Sequence, residues 1–222
     1  MKKLLSTILL AFVAMVGQAQ EIIINEPTFS DYLALFNAKG YMAYSFDVSQ
    51  LKGCKIEMYL KEFSEGKETQ SYSVLGSAYA FEPKGNKLII GFLPAENDST
   101  QKYCYSLEDT FTYTGSISLK PVFWASENKW MTQYHTRPFE MSSFEKEKFI
   151  PLVLCGSIWY DEKWKITRFC GENTINPDLS SDILKSLPHY YIIGIIVKPW
   201  WHWANPKGLS LAYSSWSLPT HS

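Results

Sequence analysis

The chain has 222 residues, with 21 Lys+Arg against 22 Asp+Glu, 19% charged and 16% aromatic residues. A formal net charge of −1 without a basic run excludes the electrostatic footprint of a nucleic-acid binder. Low charge combined with many aromatics excludes a disordered chain, and the length suits one domain with a substantial core.

The first element is a leader. MKKLLSTILLAFVAMVGQAQ places Lys2 and Lys3 ahead of an apolar run, Leu4 to Val16, followed by Gly17-Gln18-Ala19 with small residues where a signal peptidase cuts. Cleavage after Ala19 makes residues 1–19 a signal peptide and residues 20–222 a single β-rich domain. The loss of Lys2 and Lys3 moves the net charge from −1 to −3. The apolar run is shorter than the ~20 residues of a membrane span, and no later stretch reaches that length. No cysteine lies near the cut. The expected product is exported, periplasmic or secreted, and not a lipoprotein.

Thr28 to Lys39 reads as a short helix, with Thr28 or Ser30 as its cap, Tyr32, Leu33, Leu35 and Phe36 as an apolar stripe, and Gly40 as its stop. The period then changes to two. In YMAYSFDV, Met42, Tyr44, Phe46 and Val48 share a face. In CKIEMYLKEF, Cys54, Ile56, Met58 and Leu60 face the core, while Lys55, Glu57 and Lys61 face water. Ser64 to Lys67 is a turn, and Thr69 to Leu75 is the returning strand. Lys87 to Leu93 is apolar on both faces, which predicts a central strand. Lys102 to Leu107, Phe111 to Leu119, Trp130 to Phe139, Phe149 to Tyr160 and Trp164 to Cys170 complete the strands before Ser180 to Leu187, a short helix stopped by Pro188. Tyr190 to Val197 is a second strand apolar on both sides. Many strands with two short helices predict a mainly β fold, an antiparallel sandwich or barrel-like sheet, with α+β as the alternative. LIIGFLP and IIGIIVKP resemble each other, as two central strands with a glycine do.

Cys54, Cys104, Cys155 and Cys170 are disulfide candidates in an exported chain. A hairpin centred between Glu162 and Lys163 sets Cys155 opposite Cys170, within bonding reach for a directly opposed pair. The alternative is buried, reduced thiols.

Tests for chemistry come out negative. Cys155-Gly156-Ser157-Ile158-Trp159 has the loop pattern around a cysteine-protease nucleophile, but Ile158 occupies the nucleophile's position. His135, His189, His202 and His221 are scattered, with no metal-ligand spacing, so no metal or other cofactor is expected. Glu140, Asp161, Glu162 and Glu172 are the carboxylates a glycan hydrolase could draw on. The segment KPWWHWANPKG gathers Trp200, Trp201, His202 and Trp203 with Asn205 and Lys207. Exposed indoles with polar neighbours suit a sugar ring, and the same residues buried make only the rim of a core.

The leader, the size and the aromatic, strand-rich body together resemble small uncharacterised exported proteins of Bacteroidota. Asp98-Ser99-Thr100 resembles the O-glycosylation acceptor of exported proteins in that group. The resemblance implies export and brings no site residues. Three functions are then expected in order. The first is a non-enzymatic binding domain, for glycans, through Trp200, Trp201, His202, Trp203 and Asn205. The second is a structural or protein-interaction component of the envelope. The third is a hydrolase with dispersed carboxylates.

Overall fold

The computed structural model describes residues 26, 28–76, 79–124, 127–140, 145–161, 163–169 and 175–199. Residues 1–35 and 36–222 are two compact units. The expected leader, Cys170, Glu162, Glu172 and the whole Trp200–Lys207 segment lie outside the described residues.

Helix α1, Phe29–Ala38, starts one residue after Thr28. Gly40 stops it at φ +88°, with Tyr41 N–H donating to the Phe36 carbonyl and Gly40 N–H to that of Asn37. This is a Schellman cap, and glycine takes its left-handed position without strain. The predicted stripe is not buried: Tyr32, Leu33, Leu35 and Phe36 are all exposed.

Thirteen strands follow among the described residues, and the larger sheets are antiparallel throughout, which makes the fold mainly β. Sheet A has the order β1-β4-β5-β6, from β1 (Met42–Asp47), β4 (Lys87–Phe92), β5 (Thr100–Leu107) and β6 (Phe111–Ser118). Sheet B has the order β3-β2-β13-β10-β9, from β2 (Cys54–Ser64), β3 (Lys67–Ser73), β9 (Tyr134–Pro138), β10 (Phe149–Ser157) and β13 (His189–Pro199). Two small hairpins pair β7 (Val122–Trp124) with β8 (Lys129–Met131), and β11 (Trp159–Asp161) with β12 (Ile166–Arg168). Each sheet is open, so the architecture is a sandwich and not a barrel.

The main core lies between the sheets. Leu88, Ile90, Tyr103, Tyr105 and Leu107 from sheet A meet Ile56, Met58, Leu60, Val153, Ile193 and Ile195 from sheet B. Each set recurs at every second residue because alternate side chains share a face. Three tyrosines cross the gap. Tyr105 Oη donates to the Gly194 carbonyl at 3.1 Å, Tyr191 Oη to the Ser118 carbonyl at 2.7 Å, and Tyr44 Oη lies 2.8 Å from Thr136 Oγ1. Pro151 stands opposite Gly194 and has no N–H to offer that strand.

A second core covers the outer face of sheet B. Phe63, Leu154, Tyr190 and Ile192 pack there with Phe139, Ile175 and the short helix α2, Asp182–Ser186, through Leu184 and Leu187. This explains why β13 is apolar on both faces, as predicted. Strand β4 differs. It is central in its sheet, but Ile89 is exposed, opposite Ser45 and Ser106 on the solvent face. Glu57, expected in water, is fully buried, and Lys198 on the adjacent strand neutralises it.

Of the two cysteine readings, the Cys155–Cys170 disulfide is corrected and the reduced, buried thiol holds for Cys155. Cys54, Cys104 and Cys155 are free thiols. The β11–β12 hairpin pairs Trp159 with Arg168 and Asp161 with Ile166, so its register is two residues off the one that opposes Cys155 to Cys170. Cys155 instead sits mid-sheet, opposite Tyr191 on one side and Thr136 on the other. Burial pushes its thiol up to about 12, which leaves it protonated and inert. Buried Ile158 ends β10, with its N–H on the Gln133 carbonyl, so β10 and β11 are not one continuous strand.

Candidate functional site

Alternation along β2 that points Leu60 into the sandwich also points Glu62 there, and its side chain is only 7% exposed. A carboxylate at a core-facing position needs partners. Two strand ends, one loop and one position within β13 deliver them. His189 opens β13, Tyr134 opens β9, Lys120 follows β6, and Tyr191 stands directly opposite Glu62 in the β13–β2 ladder. On its other side, the β2–β3 ladder is bulged here. Thr69 of β3 is the extra residue, and its hydroxyl donates to the Glu62 carbonyl at 3.2 Å.

The contacts form a chain. Lys120 Nζ lies 2.5 Å from Glu62 Oε1, and His189 Nε2 lies 2.8 Å from the same oxygen. His189 Nδ1 lies 2.5 Å from Tyr134 Oη, which also accepts from the Lys120 N–H at 3.1 Å. The His189 ring is further held edge-on to Tyr191, with centroids 5.0 Å apart, and the His189 backbone N–H donates to Ser157 Oγ at 3.2 Å.

Charge states follow. Burial alone would raise the Glu62 carboxyl, but the Lys120 ammonium and the His189 ring hold it below its ordinary value. Burial, helped by Lys120, lowers His189 despite the pull of Glu62. At neutral pH the carboxylate is therefore charged and the imidazole neutral. Nε2 must carry the proton, because it faces a carboxylate that only accepts. Nδ1 is then an acceptor, and Tyr134 donates to it. Burial raises both Tyr134 and Tyr191, so both hydroxyls stay protonated.

This cluster predicts acid sensitivity. Both folded-state values are depressed, so the stability each group contributes is full above its unfolded value and is lost as pH falls through the folded one. The His189 loss begins below about 6.5 and the Glu62 loss below about 4.3. Thermal melts from pH 8 to pH 4 should show a flat midpoint down to the histidine's window and then a decline. In His189→Gln the upper part of that decline should shrink to what His135, also lowered by desolvation, contributes.

Beside the cluster a half-open cleft of about 280 Å³ lies between β2–β3 and β6. Glu62, Gln70, Tyr72, Ser116, Ile117, Ser118, Lys120 and Tyr191 line it. Its lining mixes acceptors, donors and two tyrosines, and Tyr72 is 42% exposed. The ion pair leaves the lining without net charge.

Neither of the two described carboxylates anticipated for hydrolysis, Glu140 and Asp161, lines this cleft. Glu140 is exposed. Asp161 Oδ1 accepts the N–H groups of Lys163 and Trp164, and its Oδ2 pairs with Arg168 Nε at 2.8 Å, so it builds the β11–β12 turn. His135 is an exposed residue on the outer face of β9, beside Phe169. Among the described residues, no group of three His, Cys, Asp or Glu could hold a metal, and no helix is long and apolar enough to cross a membrane. Sequence reasoning missed Glu62 and placed His189 at an ordinary strand end. The signal was there in the alternation: two residues beyond Leu60, the core face receives a carboxylate.

The fold and the cleft define an antiparallel β-sandwich with a polar pocket at one open edge. The chain matches the family described as Domain of unknown function (DUF5041) over residues 11–199, and it belongs to that family. Comparisons with curated proteins and with solved structures find no match.

Proposed function

We propose that this protein is an exported, non-enzymatic binding domain that holds a neutral saccharide in the cleft beside Glu62. The leader-like segment MKKLLSTILLAFVAMVGQAQ supports export. The lining of the cleft carries the ligand class. It offers an amide, two serines and an internally neutralised Glu62–Lys120 pair, which suit hydroxyls as donors and acceptors at once. Tyr72 adds exposed aromatic surface, Tyr191 being only 4% exposed, and the volume lies just under the ~300–1,000 Å³ typical of small-molecule sites. A charged ligand would have to break the ion pair, whereas a neutral one would not.

Binding is favoured over hydrolysis by the same lining. Glycoside hydrolysis ordinarily needs two carboxylates across the bond. Among the described residues Glu62 is the single carboxylate lining the cleft, and it is already engaged by Lys120 and His189.

The test is calorimetric titration of residues 20–222 with neutral and acidic oligosaccharides, using the wild type, Gln70→Ala and Tyr72→Ala. The expected result is saturable binding of a neutral sugar, weakened about tenfold or more by either substitution, as loss of a hydrogen bond or ring contact of ~1.4 kcal/mol would give. Thermal midpoints should be unchanged, because Gln70 and Tyr72 lie on an exposed edge strand. No binding by any saccharide, or binding abolished by Trp200→Ala or Trp203→Ala but not by Tyr72→Ala, would overturn the assignment to this cleft.

A further inference from the structure

The β7–β8 hairpin grows from the rim of the cleft. Its two ends are Lys120 and Tyr134, which are joined by the hydrogen bond from the Lys120 N–H to Tyr134 Oη. Both belong to the Glu62–His189 cluster, so the base of the hairpin is clamped by the candidate site itself.

The hairpin has two unlike faces. Trp124 is 5% exposed and anchors it. Phe123 and Trp130 are directly opposed across the ladder, and their side chains point the other way from Trp124. Their rings are 5.4 Å apart, and they are 45% and 67% exposed. Such a pair stabilises a hairpin by a few tenths of a kcal/mol to ~1 kcal/mol even without a ligand. That accounts for the pairing, but not for why these two large aromatic side chains of the hairpin are kept in water while Trp124 is buried.

We infer that the ligand is a saccharide chain rather than a single sugar, with one ring in the cleft and a further ring stacked on Phe123 and Trp130; this rests on the cleft being a saccharide site. Reach supports it. Phe123 is three residues from Lys120 and Trp130 four from Tyr134, so their Cα atoms lie within roughly 11 Å and 14 Å of the clamp even at full extension. A short oligosaccharide spans that separation. The chemistry is also continuous. A pyranose ring presents C–H groups on its face and hydroxyls at its edge, so an uncharged aromatic platform takes the face and leaves the edge to water. The nearby charges, Lys129 and Glu127, pair with each other, which keeps the platform neutral like the cleft.

The experiment is a chain-length series. Oligomers of glucose, galactose, mannose and N-acetylglucosamine, one to six units long, are titrated into the wild type, Trp130→Ala, Trp130→Phe and Tyr72→Ala, with thermal midpoints recorded for each. The wild type should gain at least tenfold in affinity between the shortest oligomer that binds and the longest. Trp130→Ala should lose that gain while binding the shortest oligomer as the wild type does. Trp130→Phe should keep most of the gain, and Tyr72→Ala should weaken every length. Affinity independent of length, or a gain retained in Trp130→Ala, overturns the platform and leaves the cleft standing. No binding at any length, or Tyr72→Ala without effect, overturns the cleft and the platform together. Self-association in sedimentation that Trp130→Ala abolishes, with no length effect, would give the platform to a second copy of the chain and also overturn the inference.

Discussion

Gly194→Ala is expected to destabilise the protein by about 3 kcal/mol or more, or to prevent folding. A Cβ on Gly194 would lie 2.3 Å from the Ile150 carbonyl oxygen and 2.6 Å from the Phe149 ring. The carbonyl is backbone of β10, held in the ladder with β13 where Ile150 pairs with Ile195, so it cannot move aside cheaply. The same glycine also offers its own carbonyl to Tyr105 across the core. Gly91→Ala is the control, because its Cβ would meet nothing closer than 3.6 Å. Urea denaturation should show a change within about 0.5 kcal/mol for Gly91→Ala and a collapse for Gly194→Ala. Equal effects would mean that the β10–β13 contact is not as tight as described.

His189→Leu should cost about 2–4 kcal/mol. Leucine is close to histidine in volume, so the loss is not a cavity effect. It removes the Nε2–H donor from Glu62 and the Nδ1 acceptor from Tyr134, in a region where His189 is 2% exposed. Breaking one side of a buried charged network is costly because the remaining partner stays desolvated. Lys120 continues to neutralise Glu62, which keeps the cost below that of an isolated buried carboxylate. A double-mutant cycle with Glu62→Gln should give a coupling of about 1–3 kcal/mol. Strict additivity would show that the two groups do not interact as described.

Much of the fold was legible because its carriers are local. Period-two alternation in Cys54–Leu60 and Phe111–Leu119, and the two-faced apolar run of β13, are properties of a few adjacent residues. The hairpin of β2 and β3 was legible too, as Glu65 and Gly66 at φ 50° and 73° make the two-residue turn. What failed depends on context. Ile89 looks buried in sequence, yet it is exposed, and among the described residues it stands on the solvent face of sheet A opposite Ser45 and Ser106. Lys87–Leu93 and Tyr190–Val197 look alike, but they lie in different sheets and only the second glycine is sterically required. The strand expected over Trp130–Phe139 is two, and β7 was missed, because three-residue strands of Val122-Phe123-Trp124 carry no period. The cysteine pairing failed on a two-residue register, set by Ile158 leaving the ladder.

The candidate site was less legible for a plain reason. Glu62 and His189 are 127 residues apart in sequence. Each alone reads as a strand residue, and only the β13–β2 ladder makes them partners. The aromatics that drew attention in sequence, Trp200 to Trp203, lie outside the described residues, whereas Phe123 and Trp130 drew none.

The most direct test is the imidazole ¹⁵N spectrum of His189 at neutral pH, followed during titration with the neutral oligosaccharide that binds best. Ring resonances of a neutral Nε2–H tautomer that shift saturably with sugar, with the same midpoint as calorimetry, are predicted. An Nδ1–H or doubly protonated ring, or resonances that do not move while sugar binds, would contradict the account.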